Sequence, residues 1–221
     1  MTGAAKFAEV DIYPVTGRSL WGDMRDEEVI SALARGGAKI VQLREKNLST
    51  RDYYDLAVLY RIETRRYGMA LIINDRLDIA LAVEADGVHL GSDDLPVRAA
   101  REVLGPGAII GGSSHSVEEA LMVQDEGATY VNIGPLFPTP TKPGAKPVGL
   151  TAVKSAMGAL SIPFTVMGGV TLENLEGVLD AGAKKIGVVS AIFGAGDIEA
   201  ATREFKRRIR AAWDAKQSST R

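Results

Sequence analysis

The chain has 221 residues, 46% of them apolar and 24% charged, which suits a soluble core-forming protein of one large or two small domains. Its 26 basic and 28 acidic side chains give a formal net charge of −2, so no strong field recruits nucleic acid or an anionic membrane. With no cysteine, disulfides, thiolate zinc, iron–sulfur clusters and cysteine nucleophiles are excluded, and His89 and His115 alone cannot make a histidine-rich metal site.

No apolar run approaches the ~18 residues that a membrane helix needs. The first ten residues lack the apolar core of a signal peptide, so the expected location is cytoplasmic. Short β-branched runs alternate with longer amphipathic stretches. Strands are predicted over 10–15, 39–43, 70–74, 87–90, 108–111, 130–133, 164–167 and 186–189. Helices are predicted near 26–35, 51–67, 76–84, 96–104, 117–126, 150–158, 172–181 and 198–214. Ser116 to Glu119 reads as a capping box, and Thr171 and Asp197 sit where N-caps belong. Gly36-Gly37-Ala38, Asp86-Gly87, Gly127-Ala128 and Gly182-Ala183 each punctuate a helix end before a strand. Eight such units in series imply parallel strands with right-handed crossovers. Their number, and the absence of Gly-x-Gly-x-x-Gly after the first strand, favour an α/β fold of the (β/α)8 TIM-barrel type over an open doubly wound sheet. Residues 1–215 read as one barrel domain and 216–221 as a flexible tail.

In that fold chemistry sits at the carboxyl ends of the strands. Gln42, Arg44 and Lys46 share one face of the second strand while Val41 and Leu43 share the other, which aims two cations and an amide at the barrel mouth. An internal salt bridge would account for Arg44; a phosphate-bearing ligand accounts for all three. Asp75 and Asp94 fall after adjacent strands, about 4.8 Å apart in such a sheet, and two carboxylates without histidine or thiolate suit Mg²⁺. Each could instead cap the helix that follows it. The glycines of Gly111 to His115 would open room for a ligand, and Ser113 could donate to a phosphate. His115, beside a helix start, ranks below Ser113. The segment from Gly134 to Pro147 holds five of the nine prolines, a stiffness that suits a binding loop presenting Thr139, Thr141 and Lys142. Gly168-Gly169 and Val189-Ser190 follow strands seven and eight, where barrels often hold a phosphate by backbone amides. The sum is two anion sites, one metal-assisted and one amide-based.

These segments resemble the thiamine-phosphate synthase (thiamine phosphate pyrophosphorylase) family. Val41 to Lys46, Ile73 to Arg76, Ala85 to Gly91, Gly134 to Lys142 and Val166 to Val170 look like its motifs in its order, across about residues 10–210. The resemblance implies a transferase of thiamine biosynthesis that joins a hydroxymethylpyrimidine diphosphate to a thiazole phosphate and releases diphosphate. It assigns Gln42, Leu43, Arg44, Glu45, Lys46, Asn74, Ser113 and Lys142 to the pyrimidine diphosphate, and Asp75 and Asp94 to Mg²⁺. Arg44, Lys46, Ser113 and Lys142 would be its catalytic group. Thr139, Pro140, Thr141, Gly168, Gly169, Val189 and Ser190 fall to the thiazole phosphate. The implied partners are small-molecule substrates, not nucleic acid or membrane, and a homodimer is left open. Gly17 and Ser92 depart from the family pattern, which carries Asp and Gln there. Two other readings are a thiazole tautomerase using His115 and a non-catalytic sensor of thiazole phosphate. The retained Asn74, Asp75, Asp94 and Lys142 weigh against both.

Overall fold

The computed structural model describes residues 3–139 and 144–218. Its strands are β1 (Ile12–Pro14), β2 (Ile40–Leu43), β3 (Ala70–Asn74), β4 (Gly87–Leu90), β5 (Ile109–Ser114), β6 (Tyr130–Ile133), β7 (Phe164–Val166) and β8 (Ile186–Val188). They pair in parallel in the order β1-β8-β7-β6-β5-β4-β3-β2. A bridge from Val15 to Gln42, with the Thr16 amide donating to the Gln42 carbonyl at 2.9 Å, joins the two ends. Closure removes both sheet edges and gives the expected (β/α)8 barrel.

The helices are α1 (Gly3–Ala8), α2 (Asp26–Arg35), α3 (Thr50–Arg66), α4 (Leu77–Ala82), α5 (Val97–Leu104), α6 (Val117–Asp125), α7 (Gly149–Ala159), α8 (Leu175–Asp180), α9 (Ser190–Phe193) and α10 (Ile198–Ser218). Side-chain caps set several starts: Ser49 accepts from the Asp52 amide, Ser116 from the Glu119 amide and Asp197 from the Ala200 amide, at 3.1, 3.1 and 2.9 Å. Glu119 reaches back one residue further than a capping box requires, taking the His115 amide at 2.7 Å. Thr171 is not an N-cap. Its amide and the Gly169 carbonyl are held by the Asn174 side chain, so α8 begins only at Leu175. The sequence reading also lacked α1 and α9, and ended α10 four residues short of Ser218.

Strand alternation builds two apolar layers. Val41, Leu43, Ile73, Val88, Leu90 and Ile110 face the helices in one large core. Phe7, Tyr13, Ile40, Ile72, Ile109 and Tyr130 fill the lower barrel interior in a second. Phe7, carried by α1, stacks on Tyr130 with ring centroids 4.1 Å apart, and its burial contributes roughly 1.5–3 kcal/mol. Above that layer the interior turns polar.

Candidate active site

A cleft of about 290 Å³ opens where the strands end. Among its walls are Gln42, Arg44 and Lys46 from the β2 end, Asn74 and Asp75 from β3, Gly91 to Asp94 after β4, and Ser113 from β5. The opposite side is formed by Thr139, Gly168, Gly169, Val189 and Ser190. The cationic strand end and the acidic pair therefore share one rim, with Lys46 Nζ 3.3 Å from Asp75 Oδ2.

The local backbone explains how the acids reach it. Asp75 has φ +62°, a left-handed conformation that Asp and Asn tolerate better than other side chains. Its amide donates to the His89 carbonyl of the neighbouring strand at 2.8 Å, and the Arg76 amide turns back to the Asn74 carbonyl at 2.7 Å. Asp94 Oδ2 accepts from the Gly91 amide at 2.7 Å, closing the loop after β4. Neither carboxylate caps the helix that follows: the N-cap positions of α4 and α5 are Arg76 and Pro96, without a side-chain cap bond. Burial, then a hydrogen bond and like charge from Asp94, raise the pKa of Asp75, while Lys46 opposes the shift. A hydrogen bond between two carboxylates needs a proton on one of them, and a hard divalent cation relieves the same repulsion with oxygen donors alone. The donor set fits Mg²⁺ in that respect. Among the described residues no cluster of three or more His, Cys, Asp or Glu forms, so water and substrate would complete the coordination.

Several expected residues lie elsewhere. Leu43 is fully buried in the helix-facing layer, and its carbonyl accepts from the Tyr53 hydroxyl at 2.8 Å. Glu45 turns from the cleft to accept the Arg18 amide at 3.1 Å, and burial raises its pKa. Pro140, Thr141 and Lys142 lie outside the described residues. The β5 glycines serve packing rather than a ligand: a Cβ on Gly111 would lie 2.1 Å from Tyr130 Cζ, and one on Gly112 would lie 2.5 Å from Val123 Cγ1. His115 lines the cleft edge with Nδ1 3.2 Å from Glu119 Oε2.

Across the cleft, Gly168 and Gly169 have φ +98° and +68°. Added Cβ atoms would meet Pro135 Cβ at 2.4 Å and Phe137 Cβ at 2.7 Å. Only glycine permits this approach, which lets the Leu136 and Phe137 amides donate to the Met167 and Gly168 carbonyls at 2.9 and 3.0 Å. The start of the proline loop, at Leu136 and Phe137, is thereby pinned to the β7 end. After β8, Val189 heads α9, its carbonyl taking the Ile192 and Phe193 amides at 3.1 and 3.0 Å. Ser190, in the first turn of α9, lies at the cleft wall, where its backbone amide suits an anion.

Sequence reasoning missed the cleft floor. His89 is 5% exposed and bonds Tyr130 Oη through Nδ1 at 2.9 Å and Ser113 Oγ through Nε2 at 3.0 Å. Burial lowers its pKa to about 4, so the ring is neutral near pH 7. Strand alternation could have found it, because His89 stands inward between the helix-facing Val88 and Leu90.

The thiamine monophosphate synthase family model matches residues 12–192. The chain belongs to the thiamine monophosphate synthase family. A thiamine-phosphate synthase of Caldanaerobacter subterraneus is 44% identical over 209 residues, covering 94% of this chain and 97% of that protein. One from a Roseiflexus species is 43% identical over 204 residues, covering 92% and 86%. The solved thiamine phosphate pyrophosphorylase of Pyrococcus furiosus superposes with a TM-score of 0.84 at 36% identity, covering 92% of this chain and 96% of that one. In this family member, the segments at Val41–Lys46, Asn74–Asp75 and Gly168–Gly169 all reach the same barrel mouth.

Proposed function

We propose that this chain is a thiamine-phosphate synthase, moving a hydroxymethylpyrimidine group from its diphosphate to the ring nitrogen of a thiazole phosphate. Diphosphate leaves and thiamine phosphate forms. The observation that carries this reading is the union of Arg44, Lys46, Asn74, Ser113 and the Asp75–Asp94 pair in one cleft, with Lys46 Nζ 3.3 Å from Asp75. Asp75 and Asp94 would hold Mg²⁺, which when bound supplies charge neutralisation to the departing diphosphate. Arg44 and Lys46 add positive charge at the same rim, and Ser113 and Asn74 add neutral polar groups. Lys142 is given the same task by the family pattern. The described cleft offers no thiol nucleophile, and none is needed. Leaving-group stabilisation lets a pyrimidine methylene cation form, and the thiazole nitrogen, held in place, captures it. Gly168, Gly169, Val189 and Ser190 would take the thiazole phosphate through backbone amides, and the family pattern gives Thr139, Pro140 and Thr141 to the same phosphate.

The reading also places the chain in the cytoplasm; among the described residues no helix is long and apolar enough to cross a membrane. The tautomerase alternative relies on His115 and leaves the acidic pair without a task. The deciding experiment supplies both substrates and Mg²⁺ to the purified protein and follows diphosphate release and thiamine phosphate. Turnover that stops with EDTA is expected. Isomerisation of the thiazole without any thiamine phosphate would overturn the proposal.

A further inference from the structure

Under the cleft a single file of polar side chains crosses the barrel interior. Gln42 Nε2 donates to Tyr13 Oη at 3.0 Å, and the Tyr13 and Tyr130 hydroxyls lie 2.7 Å apart. The Tyr130 hydroxyl is 2.9 Å from His89 Nδ1, and His89 Nε2 is 3.0 Å from Ser113 Oγ. Both phenols are fully buried; the Gln42 amide also hydrogen-bonds Tyr130, and among the described residues only Gln42, His89 and the two hydroxyls themselves bond them.

Each phenol carries one proton and a neutral imidazole carries one ring proton, so the direction of the file can be counted. Were Tyr130 to donate to Tyr13, Tyr13 Oη would accept twice and its own proton would be buried without an acceptor, at the full desolvation penalty. The opposite direction uses every proton. Tyr13 donates to Tyr130, Tyr130 to His89 Nδ1, and His89 Nε2–H to Ser113 Oγ. The serine oxygen then accepts from below, and its own proton is turned up into the cleft that Ser113 lines. We infer that Tyr130 and His89 are positioning residues that lock the Ser113 hydroxyl as a hydrogen-bond donor toward an anionic ligand, through the Nε2–H tautomer of His89.

Two features support the lock. The Tyr130 ring is fixed apart from its hydroxyl: Phe7 stacks on it at 4.1 Å, and it occupies the space that a side chain at Gly111 would take. The buried imidazole has one hydroxyl at each ring nitrogen, Tyr130 Oη at Nδ1 and Ser113 Oγ at Nε2, so its ring orientation and its place in the file are fixed. The sense of the file rests on Gln42 presenting Nε2 to Tyr13, as it does at 3.0 Å; an amide turned the other way would draw the Tyr13 proton to itself and reverse every bond. The identity of the anion, a diphosphate, rests on the proposed function; the direction of the file does not.

The test has two independent arms. In protein labelled with ¹⁵N at histidine, long-range ¹H–¹⁵N correlation separates protonated from bare ring nitrogens, with His115→Gln assigning the two spectra. A protonated Nε2 and bare Nδ1 at His89 are expected; a protonated Nδ1 overturns the inference whatever the activity. In the second arm, Tyr130→Phe keeps the ring and removes only the hydroxyl. It should lower kcat by about threefold to tenfold, the range of one lost hydrogen bond, while KM for the thiazole phosphate holds. Placed on Ser113→Ala, the same change should cost nothing further. A full additional loss there would show that Tyr130 does not act through Ser113 and would overturn the inference. A protein that forms no thiamine phosphate refutes the proposed function, and the tautomer still decides the file.

Discussion

Replacing Asp75 by Asn or by Ala separates its backbone task from its charge. Its φ of +62° is easy for Asn, whereas Ala in that region costs about 1–2 kcal/mol. Both changes also remove a half-buried carboxylate whose proton is held on by burial and by Asp94, which favours the metal-free fold. For a chain of this size 1 kcal/mol shifts Tm by about 2–4 °C. In chelator, Asp75→Asn should therefore melt at or above the parent, and Asp75→Ala below Asp75→Asn by about 2–8 °C. Mg²⁺ at a hundred times its Kd should stabilise the parent by about 2.7 kcal/mol, or roughly 5–10 °C, and neither variant should show that gain. Diphosphate release should fall by about two orders of magnitude or more in both. The raised pKa also fixes a sign. The native state holds the Asp75 proton more tightly than the unfolded chain, so metal-free stability falls as pH rises through the native pKa. Mg²⁺ competes with that proton, so the metal-dependent gain shrinks as pH falls through the same range. Scanning calorimetry with and without Mg²⁺, beside a coupled diphosphate assay, measures all of these. If the two variants melt together in chelator, or if Asp75→Asn keeps the Mg²⁺ shift, the reasoning fails.

Gly168→Ala places a Cβ 2.4 Å from Pro135 at φ +98°, and should cost about 2–4 kcal/mol in denaturant unfolding and weaken thiazole phosphate binding in titration calorimetry. Glu45→Gln should leave kcat/KM within about twofold, because its carboxylate serves the Arg18 amide outside the cleft; a tenfold loss in steady-state kinetics would contradict that placement. His89, with a native pKa of about 4, binds its proton less tightly than an unfolded histidine at about 6.5. Stability should accordingly decline as pH drops through that window, by at most about 1.4 kcal/mol per pH unit, and denaturant titrations of His89→Gln should show a slope shallower by one proton.

Most of the barrel was legible because its signals are local. β3, β4 and β6 match the expected runs residue for residue, since each is a short apolar stretch bounded by Gly, Asp or Asn. α8 was started three residues too early because Thr171 resembles an N-cap, and only the fold reveals that Asn174 takes its amide. α1 was missed for a different reason: six residues carry too little periodicity, and Phe7 is ordered by stacking on a tyrosine more than a hundred positions away. Spacing alone brought the rim residues together, as the Lys46–Asp75 contact shows. Spacing could not reveal which groups turn inward from five separate strands, so the file from Gln42 to Ser113 stayed hidden. It also misread Gly111, whose missing side chain makes way for Tyr130.

The stacking of Phe7 beneath Tyr130 has a consequence for how damage would travel. The barrel is stoppered from below by a short helix, and that stopper supports the same ring whose hydroxyl steers the far end. A packing defect such as Phe7→Ala, on the side remote from any substrate, should therefore register at the mouth as a loosened serine as well as a lower melting temperature.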